Sequence, residues 1–172
     1  MLKVIGELND TKRLTLTALF CALGVIIPYA TAHGLGLEGR MFLPMHLPVL
    51  LCGLICGPRY GFACGVISPL MSSLYTGMPL VYPMLPIMLL ELSIYGFVSG
   101  ILFNRLNLPI YFALPLTLLA GRAGYAIMYY ILFAFNPALQ ALTVWAAVVT
   151  GLPGIAIQLV AIPAMLHGKR EG

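Results

Sequence analysis

Two ionisable residues, Glu91 and Arg122, lie within stretches that are otherwise apolar enough and long enough to cross a lipid bilayer. A charged side chain in such a stretch is costly and seldom faces lipid, so it usually contacts a polar partner inside the protein. Glu91 lies roughly 12 Å below the outer end of its predicted helix, and Arg122 lies roughly 18 Å below that of its own. Long side chains can bridge this difference in depth. The sequence therefore predicts a buried polar site where the two groups meet.

Two interpretations of this pair stay open, and they are compatible. The pair can fix the register of two helices. Alternatively, Arg122 holds an anionic group of a ligand, and Glu91 neutralises Arg122 while the site is empty. The planar guanidinium suits an anion because it offers parallel N–H donors to two oxygens at once.

Further polar residues predict the rest of this site. Arg122, Tyr125 and Tyr129 are three and four residues apart, so they share one helix face. Tyr125 is deep enough to line a cavity, where its hydroxyl needs a partner, whereas Tyr129 can also serve as an interfacial anchor. The other candidate substrate-binding residues are Glu91, His46 and Gln158. His46 can also be an interior hydrogen-bonded histidine.

Catalysis finds little support in the sequence. Glu91 is the single acid within a predicted span, and the chain has no His-Glu-x-x-His, no Gly-x-Ser-x-Gly and no P-loop. Cys52 and Cys56 would share a helix face, but a cysteine within a membrane span more often serves as a small packing residue. We therefore expect no catalytic residue, no cofactor and no metal site.

The composition indicates the class of protein. Hydrophobic residues make up 61% of the 172-residue chain and charged residues only 8%, whereas about a quarter of the residues of a soluble domain are charged. The net charge of +4 comes from residues at loops and ends, and no basic stripe offers a surface for nucleic acid. We expect an all-α integral membrane protein in contact with lipid, with a single membrane domain over residues 1–172.

Hydropathy and the positions of proline and glycine predict a six-helix transmembrane bundle. The spans are about 13–30, 42–56, 60–74, 83–105, 109–134 and 138–166. With both termini cytoplasmic, most Lys and Arg residues flank the spans on the cytoplasmic side and Arg40 lies outside, as the positive-inside rule requires. The basic pair Lys12-Arg13 before an apolar run also fits a signal peptide, but we expect an uncleaved helix, because everything downstream is membrane-embedded.

Small residues recur at four-residue spacing, which permits close approach of helix backbones in lipid. These pairs are Ala18 and Ala22, Gly53 and Gly57, Gly61 and Gly65, and Gly96 and Gly100. We expect the three glycine pairs to pack within the bundle.

Five parts of the chain carry a resemblance to a known family. They are 42–53 (FLPMHLPVLLCG), 56–61 (CGPRYG), 68–79 (SPLMSSLYTGMP), 91–96 (ELSIYG) and the pair Gly121-Arg122. Together they resemble the substrate-binding S components of energy-coupling factor (ECF) transporters, and the likeness covers nearly the whole chain.

The resemblance implies a multi-pass protein of the cell membrane that captures a vitamin from outside. It also implies association with a transmembrane T subunit and two ATPase subunits. In that family, small Ala-x-x-x-Ala steps on the first helix contact the T subunit, and Ala18 and Ala22 match two such positions. Leu14 and Ile26 flank them, so the stripe of small residues is shorter than the fullest form in the family.

The expected function is uptake of a small water-soluble vitamin. Pantothenate is the first candidate because Arg122 can hold its carboxylate, and riboflavin, folate and cobalamin stay open. The alternatives are a non-transporting membrane scaffold and, less favoured, a membrane-embedded enzyme. We expect the ligand in the outer half of the bundle, lined by the fourth to sixth helices and capped by loops 31–41 and 75–83.

Overall fold

The structure, a computed structural model, describes residues 8–34, 45–136 and 143–167. Six α-helices account for nearly all of the described residues. They are α1 (Asp10–Gly34), α2 (His46–Cys56), α3 (Pro58–Thr76), α4 (Met84–Gly100), α5 (Ile110–Phe135) and α6 (Thr143–His167). A π-helical turn, Ile101–Arg105, extends α4.

The predicted fold class, an all-α membrane protein with six helices, is confirmed. Three described segments are long and apolar enough to cross a membrane: Asp10–Thr31, Met84–Arg105 and Ile110–Phe135. Two shorter apolar helices, His46–Cys56 and Gly151–Leu166, accompany them. The cytoplasmic position of both termini and the division of the chain into one domain stay predictions.

Helix limits differ from the predicted spans in instructive places. The first helix begins at Asp10, so Lys12 and Arg13 lie within its first turn rather than before it. Arg13 can lie there because its guanidinium donates to backbone carbonyls of Leu8 and Cys56, each at 3.1 Å. Most of the loop 31–41, the start of the predicted second span and residues 138–142 lie outside the described residues.

Helix α2 forms the centre of the bundle. Almost every residue of α2 is buried, including His46, Val49, Leu50 and Cys52. It packs against α1, α3 and α4. A helix that is apolar on all sides suits such a position, because it offers no polar face to water.

Five glycines, Gly53, Gly61, Gly65, Gly96 and Gly100, let α2, α3 and α4 approach one another at backbone distance; we call them the glycine seam. A Cβ atom on Gly96 would overlap the carbonyl group of Gly61, and one on Gly65 would lie 2.7 Å from the Cα of Ser93. Only hydrogen fits between these main chains. The three predicted glycine pairs therefore contribute to packing, except that Gly57 lies at a turn whose φ of 98° favours glycine.

Side chains hold both ends of the bundle. At the end that carries the start of α1, Asn104 Nδ2 donates to the carbonyls of Gly53 and Leu54, each at 3.1 Å. These acceptors belong to the last turn of α2, whose carbonyls lack partners within the helix. At the opposite end, Ser72 and Ser73 donate to the carbonyls of Met78 and Pro79 at 2.7 and 2.8 Å. The loop after α3 is thereby fixed to that helix.

Candidate functional site

Glu91 is the centre of a buried cluster of polar side chains. It lies in the middle of α4 and is only 2% exposed. Its Oε1 atom lies 3.0 Å from Arg122 Nη1 and accepts a hydrogen bond from the hydroxyl of Tyr95 at 3.1 Å. His46 Nε2 is 3.6 Å from the same oxygen. Polar groups from α2, α4 and α5 therefore surround one carboxylate oxygen, to which Arg122 and Tyr95 are close enough to donate.

Local sequence explains how Glu91 and Arg122 come into contact. Tyr95 follows Glu91 by one helical turn, so both side chains lie on the face of α4 that meets α5. On α5, Gly121 precedes Arg122, and a Cβ at Gly121 would come within 2.6 Å of Tyr95 ring atoms. The missing side chain lets the Tyr95 ring lie against α5. The close approach brings the guanidinium within reach of Glu91.

Arg122 uses only one edge of its guanidinium in this pair. Nη1 contacts Glu91, whereas the buried Nε and Nη2 atoms have no hydrogen-bond partner among the described residues. The side chain is 13% exposed, and its Cζ atom lies 5.9 Å from the centre of the Tyr125 ring, within range of a cation–π contact. Buried donors without partners are rare in proteins and each calls for an explanation.

His46 and Gln158 present further buried polar atoms. They are 2% and 1% exposed, and neither the imidazole nitrogens of His46 nor the amide atoms of Gln158 have a hydrogen-bond partner among the described residues. The His46 ring packs edge-on against Tyr95 at 5.2 Å between centroids. Because Gln158 lies between Ile155 and Ile162, which both pack in the core, it faces inward.

Helix α6, which carries Gln158, packs against α5. At 1.5 Å per residue, Arg122 lies about 20 Å from the end of α5 and Gln158 about 22 Å from the start of α6. These depths make Gln158 a candidate neighbour of the pair.

The two tyrosines predicted for the site are both buried. Tyr125 is 7% and Tyr129 3% exposed, and they form a second apolar cluster with Ile87 of α4. The neighbouring Tyr130 points outward. Tyr129 thus lies between α4 and α5, one turn closer than Tyr125 to the end of α5.

The sequence interpretation missed Tyr95, which contacts both Glu91 and His46. A signal for it existed: Tyr95 is four residues from a buried acid on the same helix, the spacing that places side chains together. The predicted partner-binding residues, Ala18 and Ala22, lie elsewhere. Both are exposed on α1, on a different element from every residue of the buried cluster.

The arrangement can bind but offers little for catalysis. Among the described residues, no group of three or more His, Cys, Asp or Glu side chains could hold a metal ion. A neutralised guanidinium with a free edge, an imidazole and an amide together can orient a polar molecule through hydrogen bonds.

Comparison with known proteins identifies the family. A family model described as "ECF transporter, substrate-specific component" matches residues 12–166. Comparison with curated proteins and with solved structures gave no match. The family match covers all six helices, including the buried cluster. The chain therefore belongs to the substrate-specific components of ECF transporters, the substrate-binding membrane subunits that associate with the T and ATPase module and are not enzymes.

Proposed function

We propose that this subunit captures a small water-soluble vitamin that carries a carboxylate, with pantothenate as the first candidate. The observation that carries the proposal is the edge of Arg122 that has no hydrogen-bond partner among the described residues. Nε and Nη2 form the side of a guanidinium that can donate to two carboxylate oxygens in parallel. In this protein that edge is buried and lacks a partner among the described residues, while Glu91 holds the opposite side.

The energetic cost of these unpartnered donors supports this interpretation. Leaving a buried donor without a partner costs about 1–3 kcal/mol, and more for a charged group. A purely structural ion pair would be expected to have both edges of the guanidinium satisfied. A carboxylate on the free edge would recover the lost hydrogen bonds, which favours a ligand site over a pair that only fixes helix register.

The neutral polar groups indicate what else the ligand offers. His46 and Gln158 present buried nitrogen and oxygen atoms without partners, which suit hydroxyl and amide groups of a ligand. Tyr125 and Tyr129 add apolar surface next to them. Pantothenate combines a carboxylate, an amide and two hydroxyls, so it matches this set; riboflavin, folate and cobalamin stay candidates.

We place the ligand in the outer half of the bundle, beneath the loops 31–41 and 75–83. The hydrogen bonds from Ser72 and Ser73 to the second loop support this placement, because they hold that loop over the end of α3. The positive residues at the other end of the bundle support an extracellular position for both loops.

The T subunit is proposed to dock on α1, and two ATPase subunits complete the complex. Leu14, Ala18, Ala22 and Ile26 follow one another at four-residue steps and are all exposed. Leu14 and Ile26 are 63% and 58% exposed. The small residues between them permit a second helix to approach closely.

Ligand binding is the first test. Replacing Arg122 by Ala should weaken binding of labelled pantothenate by more than tenfold, since a lost charge-assisted contact costs about 1.5–3 kcal/mol. Arg122→Lys should recover only part of the affinity, because a point charge replaces a fork. Arg105→Ala, an arginine at the far end of α4, is the matched control and should bind normally.

Mass spectrometry of the purified protein should identify the small molecule that it retains. If it retains none and binds none of the four vitamins, the vitamin assignment is wrong and a membrane scaffold is favoured instead. A retained ligand without any carboxylate would overturn the assigned role of Arg122 alone.

Uptake is the second test. Ala22→Trp should abolish uptake with the T and ATPase subunits but leave ligand binding intact, because the change is remote from the buried cluster. Ala123→Trp places the same bulk on an exposed position of α5 and should transport normally. Normal uptake by Ala22→Trp would show that the T subunit docks elsewhere.

A further inference from the structure

Helix α2 is bonded differently at its two ends. At its last turn, Asn104 Nδ2 donates to the carbonyls of Gly53 and Leu54, each at 3.1 Å. Arg13 Nη1 donates to the carbonyl of Cys56 at 3.1 Å. Side chains from two other elements therefore bond to carbonyls that a helix end leaves without partners.

The first turn of α2 has no such bonds to the described residues. Met45, which precedes the helix, provides no side-chain cap. Among the described residues, no acceptor bonds to the backbone N–H groups of Met45, His46 or Leu47. Met45 and His46 are both buried, and buried N–H groups in proteins nearly always have an acceptor. This end of α2 therefore keeps donors that a ligand can use.

The same end of α2 lies at the buried polar cluster. His46, the first residue of the helix, has its Nε2 atom 3.6 Å from Glu91 Oε1, which is too long for a hydrogen bond. Arg122 Nη1 lies 3.0 Å from that oxygen. The start of α2 and the guanidinium are therefore neighbours, and α2 begins inside the bundle at the depth of Glu91.

The His46 side chain adds donors to those of the backbone. It is 2% exposed, and neither ring nitrogen has a hydrogen-bond partner among the described residues. Its ring packs edge-on against Tyr95, with 5.2 Å between centroids, so its position is fixed by a neighbour. At least one nitrogen of an imidazole carries a proton and can donate. Backbone and side-chain donors of one turn thus lie together.

The helix dipole makes this turn suited to an oxygen atom. The first turn of a helix carries a partial positive charge. In membrane transporters, a helix that begins inside the protein can direct that end at a substrate group. Glu91 already contacts Arg122 and Tyr95, so the donors of α2 are left for another acceptor.

We propose that the start of α2 holds an uncharged acceptor oxygen of the ligand, such as an amide carbonyl, while Arg122 holds its carboxylate. We call the backbone N–H groups of residues 45–47 together with the His46 imidazole the α2 anchor. This inference rests on the proposed function and narrows its substrate class. Because the α2 anchor and Arg122 are neighbours, the ligand must carry a carboxylate and a carbonyl only a few bonds apart, as pantothenate does.

The test compares pantothenate with panthenol, the alcohol that keeps the amide and lacks the carboxylate. Binding to the full chain in detergent is measured by isothermal titration calorimetry. The parent should bind pantothenate about tenfold more tightly than panthenol, and Arg122→Ala should remove this difference. His46→Leu removes the ring nitrogens and keeps an apolar side chain. It should weaken both ligands about tenfold and leave the difference between them intact.

A second variant tests the backbone donors. Leu47→Pro removes one N–H from the first turn of α2, where proline is tolerated. Leu47→Ala is its matched control, because it removes the side chain and keeps the N–H. Leu47→Pro should bind both ligands about fivefold more weakly than Leu47→Ala.

Ser99→Ala controls for the loss of a buried polar group. Ser99 is fully buried, and its hydroxyl already donates to the carbonyl of Gly96 at 3.2 Å, so the variant should bind both ligands normally. Thermal unfolding verifies that each variant is folded. If Leu47→Pro does not fold, His46→Leu alone decides the result.

The outcomes separate the two proposals. Normal binding of both ligands by folded His46→Leu would overturn the α2 anchor and leave the role of Arg122 intact. The anchor would also be overturned if His46→Leu weakened pantothenate but not panthenol, because His46 would then act through the carboxylate. Equal binding of both ligands by the parent would overturn the role of Arg122 alone. Absence of binding of both ligands by the parent would overturn both proposals.

Discussion

The glycine seam and the polar cluster around Glu91 are both buried, share α4 and use opposite kinds of contact. In the seam, main chains of α2, α3 and α4 touch directly, and no side chain fits between Gly61 and Gly96. In the cluster, side chains from α2, α4 and α5 meet, yet Arg122 and His46 keep polar atoms without partners among the described residues, as does the buried Gln158 of α6.

The contrast separates the part of the bundle that serves the fold from the part that we propose to serve a ligand. Helix association in lipid relies on close packing, because hydrophobic burial offers no driving force between helices there. The seam supplies that packing over half the length of α4. The cluster lacks part of this close packing. Its polar atoms without partners lower the stability of the protein unless a ligand bonds to them.

The largest effect is expected in the seam. Gly96→Leu forces a side chain into the carbonyl group of Gly61, so α3 and α4 must separate. We expect a loss of more than about 5 kcal/mol, which leaves little folded protein. Folded yield and thermal unfolding in detergent measure it.

Phe97→Leu is the matched control for that substitution. It places the same side chain one residue later, on an exposed position of α4, and should be nearly neutral. Similar stability of the two variants would mean that the seam does not hold α3 against α4.

The ion pair comes second in expected effect. Glu91→Gln leaves the buried Arg122 charge without its counter-charge and should destabilise the protein by about 3–5 kcal/mol. The double variant Glu91→Gln with Arg122→Gln should recover much of that loss, since no charge is then left unpaired. A double-mutant cycle on thermal unfolding gives the coupling.

The same variants sharpen the ligand assignment. A folded double variant should bind the vitamin at least tenfold more weakly, because the carboxylate loses its guanidinium. If it binds as tightly as the parent, the pair is only structural and the main reason for favouring a carboxylate disappears.

The smallest effect on stability, and the most distinctive one, is expected at Gln158. Gln158→Leu removes two buried atoms without partners and keeps a similar volume. The empty protein should be as stable as the parent or more stable by about 1 kcal/mol, whereas ligand affinity should fall. Thermal unfolding without ligand and a binding isotherm measure the two quantities.

Thr117→Val serves as the control at an equally buried polar residue. Its hydroxyl already donates to the carbonyl of Ala113 at 2.7 Å, so it has no donor to spare for a ligand. Affinity should not change. A Gln158→Leu variant that is less stable and binds normally would show that Gln158 belongs to the packed part of the bundle.

Much of the bundle could be predicted from the chain alone. Long apolar runs between Pro and Gly residues defined helices such as α4 and α5, because a span must satisfy its own backbone in lipid. Glu91 and Arg122 were identified as partners for the same reason: neither charge can face lipid. The resemblance of the chain to one family rested on short segments along the sequence, and the family model matches residues 12–166.

Other features could not be predicted from spacing along one helix. The close contact of the Tyr95 ring with α5 depends on the missing side chain of Gly121, a residue on another helix. Which nitrogens of Arg122 stay without a partner depends on the nitrogen that Glu91 contacts, and hydropathy does not indicate this. A cleft lined by Arg13, Arg59 and Arg105 joins the start of α1 with two turns that lie far apart in sequence.

The sequence by itself determined a six-helix membrane protein, its family and the two charges that had to be buried. These properties follow from the cost of polar groups in lipid, which acts on each segment separately. Tertiary structure alone decided which atoms stay without partners and where Arg13, Arg59 and Arg105 converge. Such features arise from distances between helices, and those distances are set by packing of small residues such as Gly61 and Gly96 across the bundle.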